Sequence, residues 1–165
     1  MNVLIAIDGS DVSRKAVAFA GKMLGRCAER DVEVTLFHVV EALPEFLLPP
    51  GGQGGAAGSL RQAAEEWAET NRLAGDRLLS ENREALIQAG IPAPAVQIKL
   101  GRKEARPEAS RVVAAIAIIE EMRQGNYDLV VIGRRGTSAT IPTLIGGVAD
   151  KVAREAYGRT LWIVD

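Results

Sequence analysis

The chain has 165 residues, 20 Lys+Arg against 21 Asp+Glu, a formal charge of −1 and a pI near 5.9. That length suits one domain, and the near-neutral charge argues against a nucleic-acid-binding domain, which carries a basic surplus or stripe. One cysteine, Cys27, excludes an intrachain disulfide framework and any multi-cysteine metal site.

Val3–Ile7 is an unbroken apolar run rich in β-branched residues, as in a strand buried on both faces. Asp8-Gly9-Ser10-Asp11 stops it, too early and too acidic for the apolar region of a signal peptide. A helix is expected over 12–29, with Val12, Ala16, Phe19, Ala20, Met23 and Leu24 on one stripe. Val32–Val40 reads as a second strand. Segment 41–58 holds Pro44, Pro49, Pro50 and a glycine cluster, and reads as a flexible surface connection or a lid.

Ser59 is placed to cap a long helix to about Ala89, closed by Gly90 with Pro92 beyond, and with Trp67, Ala74, Leu78 and Leu86 on one face. Val96–Leu100 is a third strand, Glu108–Gln124 a helix opened by Pro107, and Asp128–Gly133 a fourth strand. Val148–Ala156 is a last helix and Thr160–Val164 a last strand. The longest later apolar run, Val112–Ile119, falls far short of the ~18 residues that span a bilayer. The chain therefore reads as soluble and cytoplasmic, with neither a membrane nor a nucleic acid as partner.

Strands alternating with crossover helices make a parallel sheet covered on both faces. The expected fold is α/β: one doubly wound, five-stranded, Rossmann-like domain over residues 1–165. Ligands of such sheets bind beyond the carboxyl ends of the strands, where strand order reverses. Two loops have the composition for it, 8–11 after strand 1 and 133–147 after strand 4. If both are functional, strands 1 and 4 are neighbours and the order is 3-2-1-4-5; the flavodoxin-like order 2-1-3-4-5 would put strand 3 there.

Neither GxGxxG nor GxxxxGK[ST] is present, which argues against a dinucleotide fingerprint and a P-loop. No Ser-His-Asp or Cys-His set stands out, and the single His38 lies inside a strand pattern. What remains is Gly133-Arg134-Arg135-Gly136, nine residues, then Gly146-Gly147-Val148. Gly133 and Gly136 would let the backbone approach a ligand closely. Gly146-Gly147 would open a helix whose free N–H groups and positive dipole end suit phosphate oxygens.

These residues resemble the universal stress protein family. The likeness runs along the whole chain: Val3–Ser10, His38-Val39, Asp128–Gly136, the helix Val148–Ala156 and the strand Leu161–Val164. The spacing Gly133, Gly136, Gly146 is similar to the G-x2-G-x9-G-[S/T] motif of its ATP-binding branch. The resemblance implies a homodimeric nucleotide regulator without dedicated catalysis, binding ATP with or without Mg or Mn. Asp8 would lie by the phosphates or metal with the Ala6 backbone beside it, and Val39 would offer backbone hydrogen bonds to adenine. Ile132, Gly133, Arg135 and Gly136 would line the ribose and phosphates, and Gly146, Gly147 and Val148 would receive the phosphate tail. Leu161, Trp162, Ile163 and Val164 would form the dimer edge.

Two positions depart from the family pattern. Gly147 stands where the motif has Ser or Thr, so one hydroxyl to phosphate is lost while the backbone N–H stays. The stretch from Arg102 to Gln124 is also longer than usual there. The alternatives are an interaction module with a vestigial site, which Gly147 favours, and a slow ATP hydrolase equipped with Asp8 and a metal.

Overall fold

Short apolar runs with β-branched side chains pair as five parallel strands in the computed structural model, which describes residues 1–27, 31–40, 43, 55–102, 110–136 and 145–165. The elements in chain order are β1 (Asn2–Ile7), α1 (Asp11–Leu24), β2 (Glu33–Val40), α2 (Gly55–Gln88), β3 (Val96–Arg102), α3 (Ser110–Gln124), β4 (Leu129–Gly133), α4 (Gly147–Glu155) and β5 (Thr160–Val164). The sheet order is β3-β2-β1-β4-β5, all pairs parallel. The expected order 3-2-1-4-5 is the observed one, and β1 and β4 lie side by side at the reversal.

Period-two alternation sends successive side chains of a strand to opposite faces. Val3, Ile5, Val34, Leu36 and Val131 pack under α1 and α2 with Ala16, Val17, Ala20, Leu79 and Leu86. Leu4, Ala6, Phe37, Val130 and Ile132 pack under α3 and α4 with Ile118, Ile119, Met122 and Val152. With few aromatics available, both layers are filled mostly by aliphatic side chains, with Phe37 the one fully buried aromatic among the described residues.

Ser10 begins α1: its side chain accepts a hydrogen bond from the Ser13 N–H at 3.1 Å, satisfying one of the orphan donors of the first turn. The helix stops at Leu24, short of the expected residue 29, and passes into a 3-10 turn over Gly25–Cys27. There α1 crosses the end of α2 so closely that a methyl group on Gly25 would collide with the Ala89 carbonyl oxygen. The buried face of α1 is Ser13, Ala16, Val17, Ala20, Gly21 and Leu24. Phe19 and Met23, expected inside, are 41% and 42% exposed. They lie on the rim, where the Phe19 ring meets Trp162 of β5 edge-on at 5.4 Å.

α2 begins at Gly55, so Ser59 is not its cap and residues 55–58 belong to the helix. Residues 41–42 and 44–54 of the expected connection lie outside the described residues, as does Pro107. At 34 residues α2 is about 50 Å long, roughly twice the length of a seven-residue strand. Only its second half packs on the sheet, through Gly75, Leu79, Asn82 and Leu86; none of residues 58–74 is fully buried. Ala74, expected on the buried face, is exposed and its neighbour Gly75 takes the place.

A polar cluster fixes α3 to the β3 edge. Glu121, 6% exposed, pairs with Lys99 Nζ at 2.5 Å and accepts a hydrogen bond from the Tyr127 hydroxyl at 2.7 Å. The Tyr127 ring fills the space a side chain at 125 would need, which makes Gly125 obligatory there. Burial, opposed by a hydrogen bond from Thr35, pushes the Tyr127 phenol above its ordinary range. A raised phenol contributes stability that is complete below the unfolded value near ~10 and is lost as pH rises through the folded value. The chain has two tyrosines. In the Tyr157→Phe variant the remaining phenol is therefore expected to ionise, by absorbance at 295 nm, at higher pH than it does in urea. Coincident titrations would contradict the burial argument.

Candidate functional site

The carboxyl ends of β1 and β4 meet at the strand-order reversal, with Ala6 opposite Ile132 in register. Both side chains point into the α3/α4 layer and are 5% exposed, so these residues can offer a ligand only backbone groups. Val39 lies one residue beyond the last β1–β2 pair, Ile7 with His38, at the same edge of the sheet. His38 Nδ1 is 2.9 Å from the Ile7 carbonyl oxygen and anchors the end of β1 from the α2 side.

Asp8 follows β1. Its Oδ1 accepts the Ser10 N–H at 3.0 Å, an Asx turn that leads the chain into α1. Gly9 inside the turn has φ +80, a conformation that excludes most side chains.

The glycines after β4 are explained by close approach. A methyl group on Gly133 would lie 3.1 Å from Val12 Cγ1 at the start of α1, and one on Gly136 would collide with Asp8 Oδ2. One on Gly146 would lie 2.9 Å from the Arg134 carbonyl oxygen, which accepts the Gly146 N–H at 2.8 Å. The two loops and the start of α4 are thus drawn together, with Asp8 beside Gly136 and Gly146 beside Arg134. The connecting residues 137–144 lie outside the described residues.

Gly146 is the N-cap of α4 (φ −71, ψ 151) and supplies no side-chain hydrogen bond, so the first-turn N–H groups at Gly147 and Val148 carry no such cap. Gly147 is exposed, and a methyl group on it would have nothing within 4 Å among the described residues. Among the described residues, it is the one motif position where a side chain meets open space. Val148 is half-buried against the α3/α4 layer.

Arg134 and Arg135 both pair with the last carboxylate of the chain. Arg134 Nη2 is 2.5 Å from Asp165 Oδ2, and Arg135 Nη2 is 3.1 Å from Asp165 Oδ1. The hydrogen bond from Arg135, reinforced by Arg134, holds the Asp165 carboxyl below its ordinary range. Its contribution to stability is present above the unfolded value of about 3.9 and is lost as pH falls through the folded value. Asp165 is the site neighbour that motif reading passes over. Its signal is in the register: Gly133 pairs with Val164, so the residues after each strand are adjacent.

Chemically the arrangement gathers groups suited to an anion: helix-start N–H groups with no side-chain cap from Gly146, close backbone, two arginines and one carboxylate. Among the described residues, no group of three His, Cys, Asp or Glu side chains is placed to hold a metal ion. No helix of the described residues is long and apolar enough to cross a membrane.

Comparison with known proteins agrees with this architecture. The sequence profile of the Universal stress protein family matches residues 1–158. A universal stress protein of Methanocaldococcus jannaschii is 28% identical over 155 residues, covering 94% of this chain and 76% of that one. Among solved structures, universal stress protein UspA from Lactobacillus plantarum superposes with a TM-score of 0.71 at 17% identity, covering 100% of this chain and 97% of its own. The universal stress protein from Archaeoglobus fulgidus in complex with dAMP gives a TM-score of 0.61 at 18% identity, covering 100% and 98%. On the profile match along nearly its whole length, this chain belongs to the universal stress protein family.

Proposed function

We propose that the chain is an adenine-nucleotide-binding regulator whose ligand lies across the carboxyl ends of β1 and β4. One observation carries this: Asp8, Gly136, Gly146 and the uncapped, sterically open start of α4 converge at the reversal of strand order. The Archaeoglobus fulgidus relative in complex with dAMP supports the ligand class.

In this reading ATP is a ligand, its phosphates taken by the N–H groups of Gly146, Gly147 and Val148 and by the backbone of Gly133 and Gly136. The Val39 backbone meets adenine, Ala6 and Ile132 contribute backbone at the floor, and Arg135 supplies charge. Mg or Mn carried by the triphosphate would meet the exposed Asp8 carboxylate, and the metal would supply charge neutralisation. Among the described residues none stands out as a general base toward an attacking water, which favours a binding protein without dedicated hydrolysis; the reading places it in the cytoplasm.

The same reading makes the chain a homodimer through β5. That strand is a sheet edge whose Leu161, Trp162, Ile163 and Val164 are all only half-buried, so it offers backbone donors and acceptors beside apolar surface. Sedimentation should then give twice the 17.6 kDa chain mass. The reading as an interaction module with a vestigial site has Gly147 in its favour.

Calorimetric titration of the purified protein with ATP and Mg decides between them. Saturable binding with Kd below about 1 mM is expected. No heat at millimolar nucleotide would overturn the assignment.

A further inference from the structure

Asp165 spans both guanidinium groups of the loop after β4, and the loop's backbone adjoins the start of α4. Arg134 is held at three points: its N–H donates to the Val164 carbonyl at 2.6 Å, its carbonyl accepts from Gly146, and its side chain reaches Asp165. Its Nε is buried with no hydrogen-bond partner among the described residues, so Asp165 satisfies this arginine only at its tip. A methyl group on Gly146 would lie 3.4 Å from the Arg135 Cα, which puts Arg135 beside the helix start while its charge is spent on Asp165.

We infer that Asp165 is a built-in counter-anion that sets how many phosphates the site prefers. A single phosphate held by the N–H groups of α4 leaves the Arg134–Asp165–Arg135 cluster intact. One carboxylate faces two guanidinium groups, so a longer phosphate chain that reaches the arginines competes with Asp165 for the Nη2 donors it occupies and takes them by displacing it. The cluster is half-exposed, with side chains 31%, 33% and 47% accessible, so exchange of one anion for another needs no opening of the core. The inference rests on the nucleotide reading for its ligand, but concerns the arginines and their carboxylate, and the two can fail separately.

The test is calorimetric titration of wild type and Asp165→Asn with AMP, with ATP and with inorganic triphosphate at low salt. Asp165→Asn is expected to tighten ATP and triphosphate about three- to ten-fold, the scale of two half-exposed ion pairs, and to move AMP by less than about two-fold. Asp165→Ala moves the same way, and a thermal melt of each variant checks that the fold is retained. If triphosphate tightens while ATP binds neither protein, the counter-anion role stands and the nucleotide reading falls. If ATP binds both proteins equally, or AMP tightens as much as ATP, the counter-anion role is overturned and the nucleotide reading stands. If no probe binds either protein, both are overturned.

Discussion

Gly147→Ser is expected to tighten ATP binding by about ten-fold or more. Gly147 is the first residue of α4, and a methyl group there has nothing within 4 Å among the described residues, so a hydroxymethyl group enters without moving any of them. A hydrogen bond to a charged group contributes roughly 1.5–3 kcal/mol, and each ~1.4 kcal/mol is a factor of ten in affinity. The substitution also replaces a glycine by a better helix former, so the variant should be no less stable than wild type. Titration of both proteins with ATP and Mg checks this. Unchanged affinity in a folded variant would mean that no phosphate reaches α4, and would favour the vestigial-site reading.

Gly25→Ala should lower stability by about 2–3 kcal/mol, within the range for overpacking a close contact. The added methyl collides with the Ala89 carbonyl oxygen, a backbone atom that has no rotamer to escape into, so the end of α1 or of α2 must shift. Gly21→Ala is one helical turn earlier and meets the Ala89 Cβ at 2.8 Å. It should cost less, and Ala89→Gly should relieve it while leaving Gly25→Ala unrelieved. Urea unfolding of the three single variants and the two double variants with Ala89→Gly reads this pattern. Equal losses at 21 and 25, or rescue of Gly25→Ala by Ala89→Gly, would contradict the backbone contact.

The strands were legible because β1, β4 and β5 are short apolar runs bounded by polar or turn residues, β2 is rich in β-branched residues and β3 alternates apolar with polar ones, and the strand order followed from asking which two loops had ligand-binding composition. Asp8 and the glycines after β4 mark those loops by residue type alone, without side-chain geometry. The helices were less legible. On α2 the stripe Trp67, Ala74, Leu78, Leu86 ignores that the helix is longer than the sheet beneath it, so none of residues 58–74 is fully buried and alanine at 74 looks the same in or out. On α1 the apolar stripe takes in Phe19 and Met23, which cover the rim beside Trp162 while small residues, Ala16, Ala20 and Gly21, take the closest contacts.

The candidate site was legible as spacing and opaque as cause. Gly133, Gly136 and Gly146 stand out as a motif, yet each has a close contact within the chain: α1, Asp8 and the Arg134 carbonyl. Spacing alone cannot separate a glycine that makes room for a ligand from one that makes room for a neighbouring loop. Gly147 is the converse, a departure from the family pattern that no contact explains. Asp165 was passed over because a lone terminal acid has no motif, and its pairing with two arginines comes from β4–β5 register.

The most direct test of the central claim is amide-resolved NMR of the labelled protein during titration with AMP. Saturable shifts are expected to concentrate at Asp8–Ser10, Val39, Gly133–Gly136 and Gly146–Val148, on either side of the β1–β4 junction, with the amides of Glu33 and Tyr157 at the opposite edge unmoved. Shifts centred elsewhere, or none at saturating nucleotide, would contradict it.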